Sequence, residues 1–404
     1  MASLSVRKRG KGWEYRFDTS KIDGKRKQVS KAGFKTKGEA LAAGTKALNE
    51  YNNTGFAFTP SEIGVADYMK YWLTNYVEKN LAYNTYTGYK RYIDIHIIPT
   101  FGMYKLSALS NNPAAIQDWI TDLKIRGYSR SMISNLLGCL SSALNYAVLP
   151  CKYISSNPCS YVKVPKIIMS KEDREHKEYV CSQADFEKIL NRFPEGSSFY
   201  IPLIIGYHLG TRIGETYGLD LSRDVDFENN IISINHQLSK QNDHWCLISP
   251  KYNSVRALKT DNFLNNALKK EYLDQQKNML KYGEYYINTY INDNNVVIQL
   301  PASIDCQFRQ IMPVVVRENG ELLTPESFKY CARVVHHELN NINFHYHCLR
   351  HTHGTLLAEA GINPRTVMER LGHKDISTTL QTYTFNTEKM QDAAVEVFEK
   401  IAHK

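Results

Sequence analysis

Apolar side chains recur at helical spacing throughout residues 62–165, and this periodicity constrains the fold more than any other feature of the chain. The first apolar stripe consists of Val65, Tyr68, Met69, Trp72, Leu73 and Tyr76. Helix start and stop signals divide the rest of the segment at Asn84, Pro99, Pro113, Gly127, Ser129 and Pro150. The pattern predicts an all-helical bundle, with Pro99 closing its second helix. The Tyr and Trp stripe then belongs to the core and is not a platform for stacked bases.

The length of the chain, 404 residues and 46.4 kDa, predicts two or three domains. No uninterrupted apolar run reaches the ~18 residues of a membrane-spanning helix, and the basic N-terminus lacks the apolar segment of a secretory signal. The eight cysteines are scattered and include no Cys-x-x-Cys pair, which is typical of reduced thiols. These features predict a cytoplasmic protein that does not associate with a membrane.

Positive charge is concentrated in the first 38 residues. This segment contains twelve Lys and Arg residues against three Asp and Glu residues, so its net charge of +9 equals that of the whole chain. Such a concentration favours a polyanionic partner, with nucleic acid as the leading candidate. The alternative is a solubilising or disordered tail.

The strand pattern of this basic segment favours a folded module. Apolar and polar residues alternate at 13–17, and a second strand pattern covers 27–30. Asp23-Gly24 between them is typical of a hairpin turn. A small basic sheet of this kind can lie in the major groove of DNA.

A helix is predicted to follow the strands. Thr36 and Glu39 form a capping-box pattern, and the helix runs from Ala40 to Tyr51. Lys and Arg residues of this module and of the helical bundle are the predicted DNA contacts. For any single Lys or Arg of the bundle, the alternative is a side chain on a solvated helix face. The predicted contacts are Arg7, Lys8, Arg9, Arg16, Lys25, Arg26, Lys27, Lys90, Arg91 and Arg130.

Residues 166–178 have mixed charges and few apolar side chains, and two Pro-containing pairs precede them, which predicts an interdomain linker. Ser182 with Asp185 then opens a helix, and a mostly helical domain follows. Residues 231–234 and 257–258 are predicted strands. Residues 281–320 match no regular pattern except for an expected strand and turn at 314–320.

The run from Gly210 to Glu215, Gly-Thr-Arg-Ile-Gly-Glu, follows a strongly apolar helix. Gly210 is expected to end that helix and Arg212 to begin a new element. Arg212 is then either the partner of Glu215 in a buried ion pair or an anion ligand, and both interpretations stay open. Lys251 is expected in a hairpin, where a lone lysine is usually a solvated side chain.

Histidines are dense between residues 345 and 353, and with Cys348 they raise the question of a zinc site. No companion Cys-x-x-Cys and no spacing typical of zinc ligands accompanies them, so metal binding is disfavoured. In a helix, His347, Arg350 and His351 share one face, which favours an anion-binding edge instead.

The last helical signals surround two further side chains. Asn363-Pro364 begins a helix that Gly372 ends, which leaves His373 just beyond the helix. Tyr383 follows ten residues later. Because Ile376, Leu380 and Tyr383 are spaced i, i+4 and i+7, Tyr383 could also be a core aromatic residue.

Together, five elements of the chain resemble the tyrosine recombinase (phage integrase) family. In chain order they are Gly210–Glu215, the hairpin Lys251, His347–His351, Leu371-Gly372-His373 and Tyr383. Their order and spacing agree with that family, including the ten-residue step from His373 to Tyr383. The likeness is greatest to integrases of conjugative transposons from Gram-positive bacteria. Thr384-Phe385 departs from the small residue and His found in close relatives, and we expect no catalytic consequence.

The resemblance implies phosphoryl transfer that requires no metal ion or cofactor. The implied catalytic residues are Arg212, Lys251, His347, Arg350, His373 and Tyr383, with Glu215 in a supporting role. Tyr383 would attack phosphorus and form a 3′-phosphotyrosyl link, while Arg212 and Arg350 clamp the non-bridging oxygens. His347 would assist deprotonation of the phenol, and Lys251 would protonate the leaving 5′ oxygen.

The predicted fold class is mainly α with small β parts (α+β). We expect an N-terminal three-stranded sheet plus helix, a helical core-binding bundle, and a mixed, mostly helical catalytic domain with a β-hairpin. The resemblance implies four functional parts besides the linker. They are an arm-type DNA-binding domain (1–55), a core-binding DNA domain (62–165), a catalytic domain (179–387) and an amphipathic C-terminal tail helix (388–404). The resemblance implies that the tail docks on a neighbouring protomer, and packing on its own domain is the alternative.

The implied function is site-specific recombination that integrates and excises a mobile element through a Holliday junction. The implied partners are double-stranded DNA at core and arm sites, three further copies of the chain in a homotetramer, and an accessory excision or DNA-bending protein. The implied location is the bacterial cytoplasm, at the nucleoid when bound to DNA. A type IB topoisomerase-like enzyme and a catalytically silent DNA-binding regulator are the alternatives.

Overall fold

The computed structural model describes residues 4–22, 25–54, 63–166 and 179–377, and beyond these only residues 380, 392, 395, 396, 398 and 399. The chain divides into two compact units, residues 1–168 and 169–404. The division falls within the predicted linker, most of which lies outside the described residues. In the described part of the chain, no helix is long and apolar enough to cross a membrane.

The N-terminal residues form the predicted three-stranded antiparallel sheet and helix. The elements are β1 (Ser5–Arg9), β2 (Gly12–Ile22), β3 (Lys25–Phe34) and α1 (Lys37–Thr54), and the strand order is β1-β2-β3. The predicted cap is confirmed, because Thr36 Oγ1 accepts the N–H of Glu39 at 3.2 Å. The predicted turn at Asp23-Gly24 lies outside the described residues.

One face of this sheet is apolar and packs against α1. Tyr15 and Phe17 alternate along β2, are both buried, and form a small core with Ala47 of α1. The helix approaches the sheet closely at Gly44, where an added Cβ would lie 2.8 Å from Cβ of Tyr15. The strand period therefore separates an apolar face from a polar one.

The opposite face of the sheet carries ordered charged side chains. Arg7 lies opposite Glu14 in the β1–β2 pairing. Glu14 is buried and forms ion pairs with Arg7 (Nε to Oε2, 3.1 Å) and Arg9 (Nη1 to Oε1, 3.0 Å). The Arg7 and Arg9 side chains remain more than half exposed. Arg16 lies on the same face, and its Nε donates to Ser5 Oγ at 3.2 Å.

Residues 63–166 form the predicted helical bundle. Its helices are α2 (Val65–Trp72), α3 (Tyr83–Tyr92), α4 (Leu106–Ser110), α5 (Pro113–Ile125) and α6 (Arg130–Val148), and a 3₁₀ turn follows at Pro158–Tyr161. Tyr68 and Trp72 of α2 are at most 1 % exposed, and the Tyr68 hydroxyl donates to the carbonyl of Ala143 in α6. The prediction that the aromatic stripe belongs to the core is confirmed.

The prediction that Pro99 closes the second helix is wrong. α3 continues through a π-helical turn, Ile93–Ile97, into a short helical segment, Ile98–Phe101, that contains Pro99. A proline has no N–H to donate, and its ring clashes with the carbonyl four residues earlier in a regular helix. Because the wider turn before Pro99 carries bonds to the fifth residue back, such as that from Ile98 N–H to the Ile93 carbonyl, the helix accommodates the ring.

The second unit combines helices with small antiparallel sheets. Its helices are α7 (Gln183–Arg192), α8 (Tyr200–Leu209), α9 (Ile213–Tyr217), α10 (Asn262–Tyr282), α11 (Phe328–Glu338), α12 (Tyr346–Glu359) and α13 (Pro364–Leu371). Its strands are β4 (Val225–Asp226), β5 (Ile231–Ile234), β6 (Gln237–Gln241), β7 (His244–Ile248), β8 (Arg256–Lys259), β9 (Ile287–Ile291), β10 (Val297–Pro301) and β11 (Arg309–Ile311). β5 lies between β4 and β8, β6 pairs with β7, and β9 lies between β10 and β11. The predicted fold class is confirmed.

Several predicted elements of this unit are present. Ser182 Oγ accepts the N–H of Asp185 at 3.1 Å and caps α7. The strand predicted at 231–234 is β5, and residues 257–258 lie within β8. Residues 201–206 and 209 of α8 are buried because neighbouring elements cover them, and at Gly206 an added Cβ would lie 2.9 Å from Leu349 Cδ1 of α12.

The sheet β9–β11 was not predicted. Thr289, Tyr290 and Ile291 of β9 are all buried, so the alternation that reveals a strand is absent. The strand expected at 314–316 is wrong. Val314 and Val315 are core residues without a continuous ladder, and a single bridge joins Val316 to Leu322.

Candidate active site

The gap between α8 and α9 positions the first arginine. Gly210 ends α8 in the left-handed conformation (φ 63°), and an added Cβ there would lie 2.7 Å from Leu371 Cδ2. Arg212 follows as the N-cap residue of α9. Both helix boundaries predicted for this motif are confirmed, and Arg212 is held at the start of a helix.

Glu215 is a fully buried carboxylate held between two arginines. Its Oε1 accepts Nη1 of Arg212 at 2.7 Å and Nη1 of Arg256 at 3.2 Å. Its Oε2 accepts the backbone N–H of Arg212 at 2.9 Å and Nη2 of Arg256 at 2.8 Å. Burial alone would raise the pKa of Glu215, but the hydrogen bond and charge of Arg256, followed by those of Arg212, lower it below its ordinary value. The carboxylate therefore stays ionised.

Arg212 also reaches the end of α13. Its Nη2 donates to the carbonyl of Gly372 at 2.8 Å, and its Nη1 donates to Ser254 Oγ at 3.3 Å. The ion pair with Glu215, one of the two interpretations of Arg212, is therefore present. The Arg212 side chain is still 19 % exposed, so part of the guanidinium faces solvent.

Arg350 lies beside Arg212. It projects from α12, is 3 % exposed, and donates from Nη1 to the carbonyl of Gly210 (2.7 Å) and from Nη2 to that of Leu371 (2.6 Å). Because Arg350 and Arg212 bind the carbonyls of consecutive residues, Leu371 and Gly372, their guanidinium groups converge on one place. Burial, followed by the positive charge of Arg212, lowers the pKa of Arg350.

His347 and His373 line the same place. His347 is in the first turn of α12, where part of its side chain reaches solvent, and His373 directly follows Gly372. Desolvation within the surrounding protein, followed by the charge of Arg350, lowers the pKa of each imidazole to about 4. Both rings are therefore neutral at pH 7, and each can donate one hydrogen bond and accept another.

Lys251 is not at the tip of a hairpin, which corrects the prediction. It lies in the loop between β7 and β8, which pair with different strands, β6 and β5. Strand periodicity does not reveal a strand's partner, so the sequence alone does not show that β7 and β8 pair with different strands. The Lys251 side chain is exposed, and its backbone carbonyl accepts Ser254 Oγ at 2.9 Å. Ser254 in turn accepts from Arg212, so the loop is tied to the arginines.

The remaining predicted residues belong to the first compact unit or lie outside the described part of the chain. Tyr383 lies outside the described residues, as does most of the predicted tail helix. Lys8, Lys90, Arg91 and Arg130 are exposed, and the backbone of residues 25–27 lies in β3. The DNA contacts assigned to these residues stay predictions.

Arg256 was not predicted from the sequence. Besides its two bonds to Glu215, it donates from Nε to the carbonyl of Arg370 at 2.8 Å and from Nη1 to the carbonyl of Ser254 at 3.1 Å. The sequence does contain a signal for Arg256. It lies two residues before Leu258 in β8, so both side chains point to the inner face of the strand. A charged side chain on a buried face needs a partner of opposite charge.

Buried hydroxyl groups below the arginines were not predicted either. Thr216 Oγ1 lies within hydrogen-bonding distance of both Thr211 Oγ1 and the hydroxyl of Tyr346, the residue before His347. Burial raises the pKa of Tyr346 to about 12. These contacts join the start of α12 to α9, and nothing in their sequence spacing predicted them.

The site has an excess of positive charge. Arg212, Arg256 and Arg350 carry three positive charges against the single carboxylate of Glu215. The two carbonyls that Arg350 binds among the described residues use two of its five N–H groups, which leaves donors for a further ligand. Such an arrangement is suited to a doubly coordinated oxyanion such as a phosphodiester. Among the described residues, no group of three or more His, Cys, Asp or Glu side chains could hold a metal ion.

Three family profiles match successive parts of the chain. The Arm DNA-binding domain profile matches residues 5–51, and the phage integrase, N-terminal SAM-like domain profile matches residues 65–124. The Phage integrase family profile matches residues 183–390, more than half of the chain.

The chain belongs to the phage integrase family.

It is a tyrosine recombinase, an enzyme that transfers DNA strands, as the resemblance of its motifs implied. The family match spans the elements that carry Arg212, Glu215, Lys251, His347 and Arg350. Their individual catalytic roles stay predictions.

Relatives of this tyrosine recombinase include a XerC-like protein and a transposon protein. The chain is 27 % identical to a tyrosine recombinase XerC-like protein of Caldanaerobacter subterraneus subsp. tengcongensis, over 90 % of this chain and 89 % of the relative. It is 26 % identical to the transposase from transposon Tn916 of Enterococcus faecalis, over 75 % of this chain and 70 % of that protein.

Solved structures show the same fold. The Tn1549 transposon integrase in complex with transposon right end DNA superposes with a TM-score of 0.64 at 21 % identity, covering 83 % of this chain and 99 % of that one. A lambda integrase dimer bound to a COC′ core site gives a TM-score of 0.52 at 13 % identity, over 94 % of both chains.

Proposed function

We propose that this recombinase integrates and excises a mobile genetic element by cutting and rejoining double-stranded DNA at specific sites. The proposal rests on membership of the phage integrase family and on the likeness to the Tn916 transposase and the Tn1549 integrase. Strand exchange would pass through a 3′-phosphotyrosyl intermediate and a Holliday junction.

The observation that carries this proposal is the convergence of Arg212 and Arg350 on consecutive carbonyls of residues 371 and 372. Two adjacent guanidinium groups with excess positive charge are suited to the non-bridging oxygens of a phosphodiester, where charge develops during transfer. These contacts support the proposal in addition to the family match.

The proposed step conserves the phosphodiester bond energy. The Tyr383 oxygen forms a bond to phosphorus as the bond from phosphorus to the 5′ oxygen breaks. The phenol proton passes to a ring nitrogen of His347, which is neutral at pH 7 and therefore has a lone pair for it. The leaving 5′ oxygen takes a proton from the Lys251 ammonium. His373 donates a hydrogen bond to a non-bridging oxygen.

We assign each proposed partner to a part of the chain. The basic face of the N-terminal sheet, with Arg7, Arg9 and Arg16, would bind arm-site DNA, and the helical bundle would bind the core site. The active form would be a homotetramer on DNA, coupled through the tail helix, where Phe398 is 70 % exposed. An accessory excision or DNA-bending protein would set the direction of recombination, towards integration or excision. We place the enzyme in the bacterial cytoplasm, at the nucleoid when it is bound to DNA.

Covalent capture tests the function. The probes are nicked suicide duplexes tiled across the DNA that flanks the gene, from which the broken strand end diffuses away after cleavage. Wild-type protein should form a complex with one such duplex that survives denaturation, and peptide mapping should find the nucleotide on Tyr383. Tyr383→Phe should bind the duplex with unchanged affinity and give no covalent complex, because it has no nucleophilic oxygen.

Capture by Tyr383→Phe would overturn the assignment of the nucleophile. Absence of capture by the wild-type protein on every duplex would favour the silent regulator. Relaxation of supercoiled DNA without strand exchange between two captured duplexes would favour a topoisomerase.

A further inference from the structure

We propose that Arg256 is a positioning residue of the recombinase, one that sets the places of Arg212 and of the Lys251 loop without touching the DNA. This inference rests on the proposed function, because it gives Arg256 a role in the same strand cleavage. Arg256 begins β8, and its side chain is 8 % exposed.

Arg256 holds Glu215 from the side opposite Arg212. The two arginines together saturate the carboxylate, since each oxygen accepts one bond from Arg256 and one from Arg212. A rotation of Glu215 would therefore break bonds to both. With Arg256 in place, the Glu215 oxygens have one orientation, and this orientation fixes the guanidinium of Arg212.

Arg256 also holds the loop that carries Lys251. Its Nη1 donates to the Ser254 carbonyl at 3.1 Å, while the Ser254 hydroxyl donates to the Lys251 carbonyl at 2.9 Å. A continuous path of hydrogen bonds thus runs from Glu215 through Arg256 and Ser254 to the backbone of Lys251. Tyr252 within this loop has a positive φ angle of 63°, a conformation that is uncommon for a bulky side chain and that surrounding contacts stabilise.

A third contact joins Arg256 to the end of α13. Its Nε donates to the Arg370 carbonyl at 2.8 Å, and an added Cβ on Gly372 would lie 2.9 Å from Arg256 Nη1. His373 directly follows Gly372. Arg256 therefore contacts the three segments that carry Arg212, Lys251 and His373.

Only arginine can make this set of contacts. The planar guanidinium presents donors on three nitrogens in fixed directions, and Arg256 uses all three at once. A lysine ammonium in the same place keeps the charge but cannot reach the Arg370 carbonyl, the Ser254 carbonyl and both Glu215 oxygens together. Arg256→Lys therefore keeps the positive charge and removes the fixed arrangement of donors, so it tests positioning apart from charge.

The test compares two leaving groups on the duplex that wild-type protein captures. One duplex has the normal phosphodiester, and the other has sulfur in place of the bridging 5′ oxygen at the cleaved position. A thiolate leaves without a proton, so the second duplex does not need Lys251. We expect Arg256→Lys to slow single-turnover capture of the normal duplex by roughly 100-fold, the usual contribution of a general acid. The deficit should shrink at least ~10-fold on the sulfur duplex.

Two variants calibrate this comparison. Lys251→Ala should show the same rescue by sulfur. Arg192→Lys changes another two-point arginine–carboxylate pair of the same unit, with Glu338, and should behave as wild type on both duplexes. Equilibrium DNA binding by Arg256→Lys should stay within about threefold of wild type, a difference well below 1.4 kcal/mol.

Three outcomes for Arg256→Lys would overturn the inference. They are wild-type capture rates, an equal loss of capture rate on both duplexes, and loss of DNA binding together with loss of covalent capture. If Arg256→Lys does not fold, Ser254→Ala, which removes the hydroxyl that joins Arg212 to the Lys251 carbonyl, must show the selective deficit for the inference to stand. Failure of the wild-type protein to capture either duplex would overturn the proposed function itself, which is a different result.

Discussion

At the scale of single residues, burial decides the protonation state of His353. His353 is 8 % exposed, and its Nδ1 lies 2.9 Å from the carbonyl of Tyr207 while Nε2 accepts Nε of Arg370 at 3.0 Å. Arg370 can only donate, so the proton of the neutral ring is on Nδ1. Burial, followed by the charge of Arg370, lowers the pKa of His353 to about 4. The dense histidines of α12 thus include at least one with a structural role.

Acid should destabilise the protein through His353. Between pH 6.5 and 4 the unfolded chain binds a proton at this residue and the folded chain does not, so stability falls as pH falls through this window. For a shift from 6.5 to about 4, the loss between pH 7 and pH 5 is about 2 kcal/mol. His353→Gln, which binds no proton, should lose about 2 kcal/mol less than wild type over this interval.

Urea unfolding at pH 7 and pH 5 measures this difference. His244→Gln is the matched control, since His244 is exposed in β7, and it should follow the wild-type dependence. Equal losses for wild type and His353→Gln would show that His353 is protonated in the folded state.

At the scale of elements, two glycine-terminated helices supply the carbonyls that the arginines bind. Gly210 ends α8 and Gly372 ends α13, with φ angles of 63° and 66°. Arg350 takes the Gly210 carbonyl, and Arg212 takes that of Gly372. The helix ends are therefore parts of the site as well as of the fold.

Gly210→Ala should destabilise the fold more than a glycine replacement in open space. A left-handed alanine costs about 1 kcal/mol by itself. At Gly210 the new methyl would also lie 2.7 Å from Leu371 and 2.8 Å from His353, which adds about 1–3 kcal/mol of overpacking. Gly196→Ala is the matched control, because Gly196 also has a positive φ but nothing within 4 Å.

Denaturant unfolding should therefore give a larger loss for Gly210→Ala than for Gly196→Ala. An equal loss of unfolding free energy in both variants would mean that the end of α13 can move away from α8 at no cost. The close packing of the two helix ends would then not restrain the arginines.

At the scale of the whole molecule, the net positive charge is confined to one end of the chain. The first 38 residues account for the entire net charge of +9. On the N-terminal sheet the buried Glu14 neutralises part of this charge and holds Arg7 and Arg9 on one face. The remaining residues are collectively neutral, so their DNA affinity depends on where charges lie.

Deletion of residues 1–55 should remove a salt-sensitive mode of DNA binding. The slope of log K against log salt concentration should fall by about 0.9 for each DNA phosphate that the module neutralises. Titrations on long duplexes at several salt concentrations measure the slope. Covalent capture of a short core duplex is the control and should persist, because the arginines and Tyr383 remain.

An unchanged slope would show that the N-terminal sheet does not bind DNA. Loss of capture on the short duplex would show instead that the module is needed for cleavage itself.

Local interactions explain what could be predicted. Thr36, Ser129, Ser182 and Asn363 each cap the helix that follows through a bond to a backbone N–H two or three residues away, and such signals are visible in the sequence. The aromatic stripe of α2 was assigned to the core from its period alone. Pro99 was misread because the π turn that accommodates it has no recognised sequence signal.

Order and spacing of motifs along the chain were enough to identify the family and the candidate catalytic residues, because side-chain chemistry limits which residues can hold a phosphodiester. Only the tertiary structure decided how they meet. Arg350 binds a carbonyl 140 residues away, and Arg212 binds one 160 residues away. Lys251 was assigned to the wrong kind of turn, and Arg256 was missed, because strand partners and buried ion pairs depend on contacts between distant segments that no local pattern records.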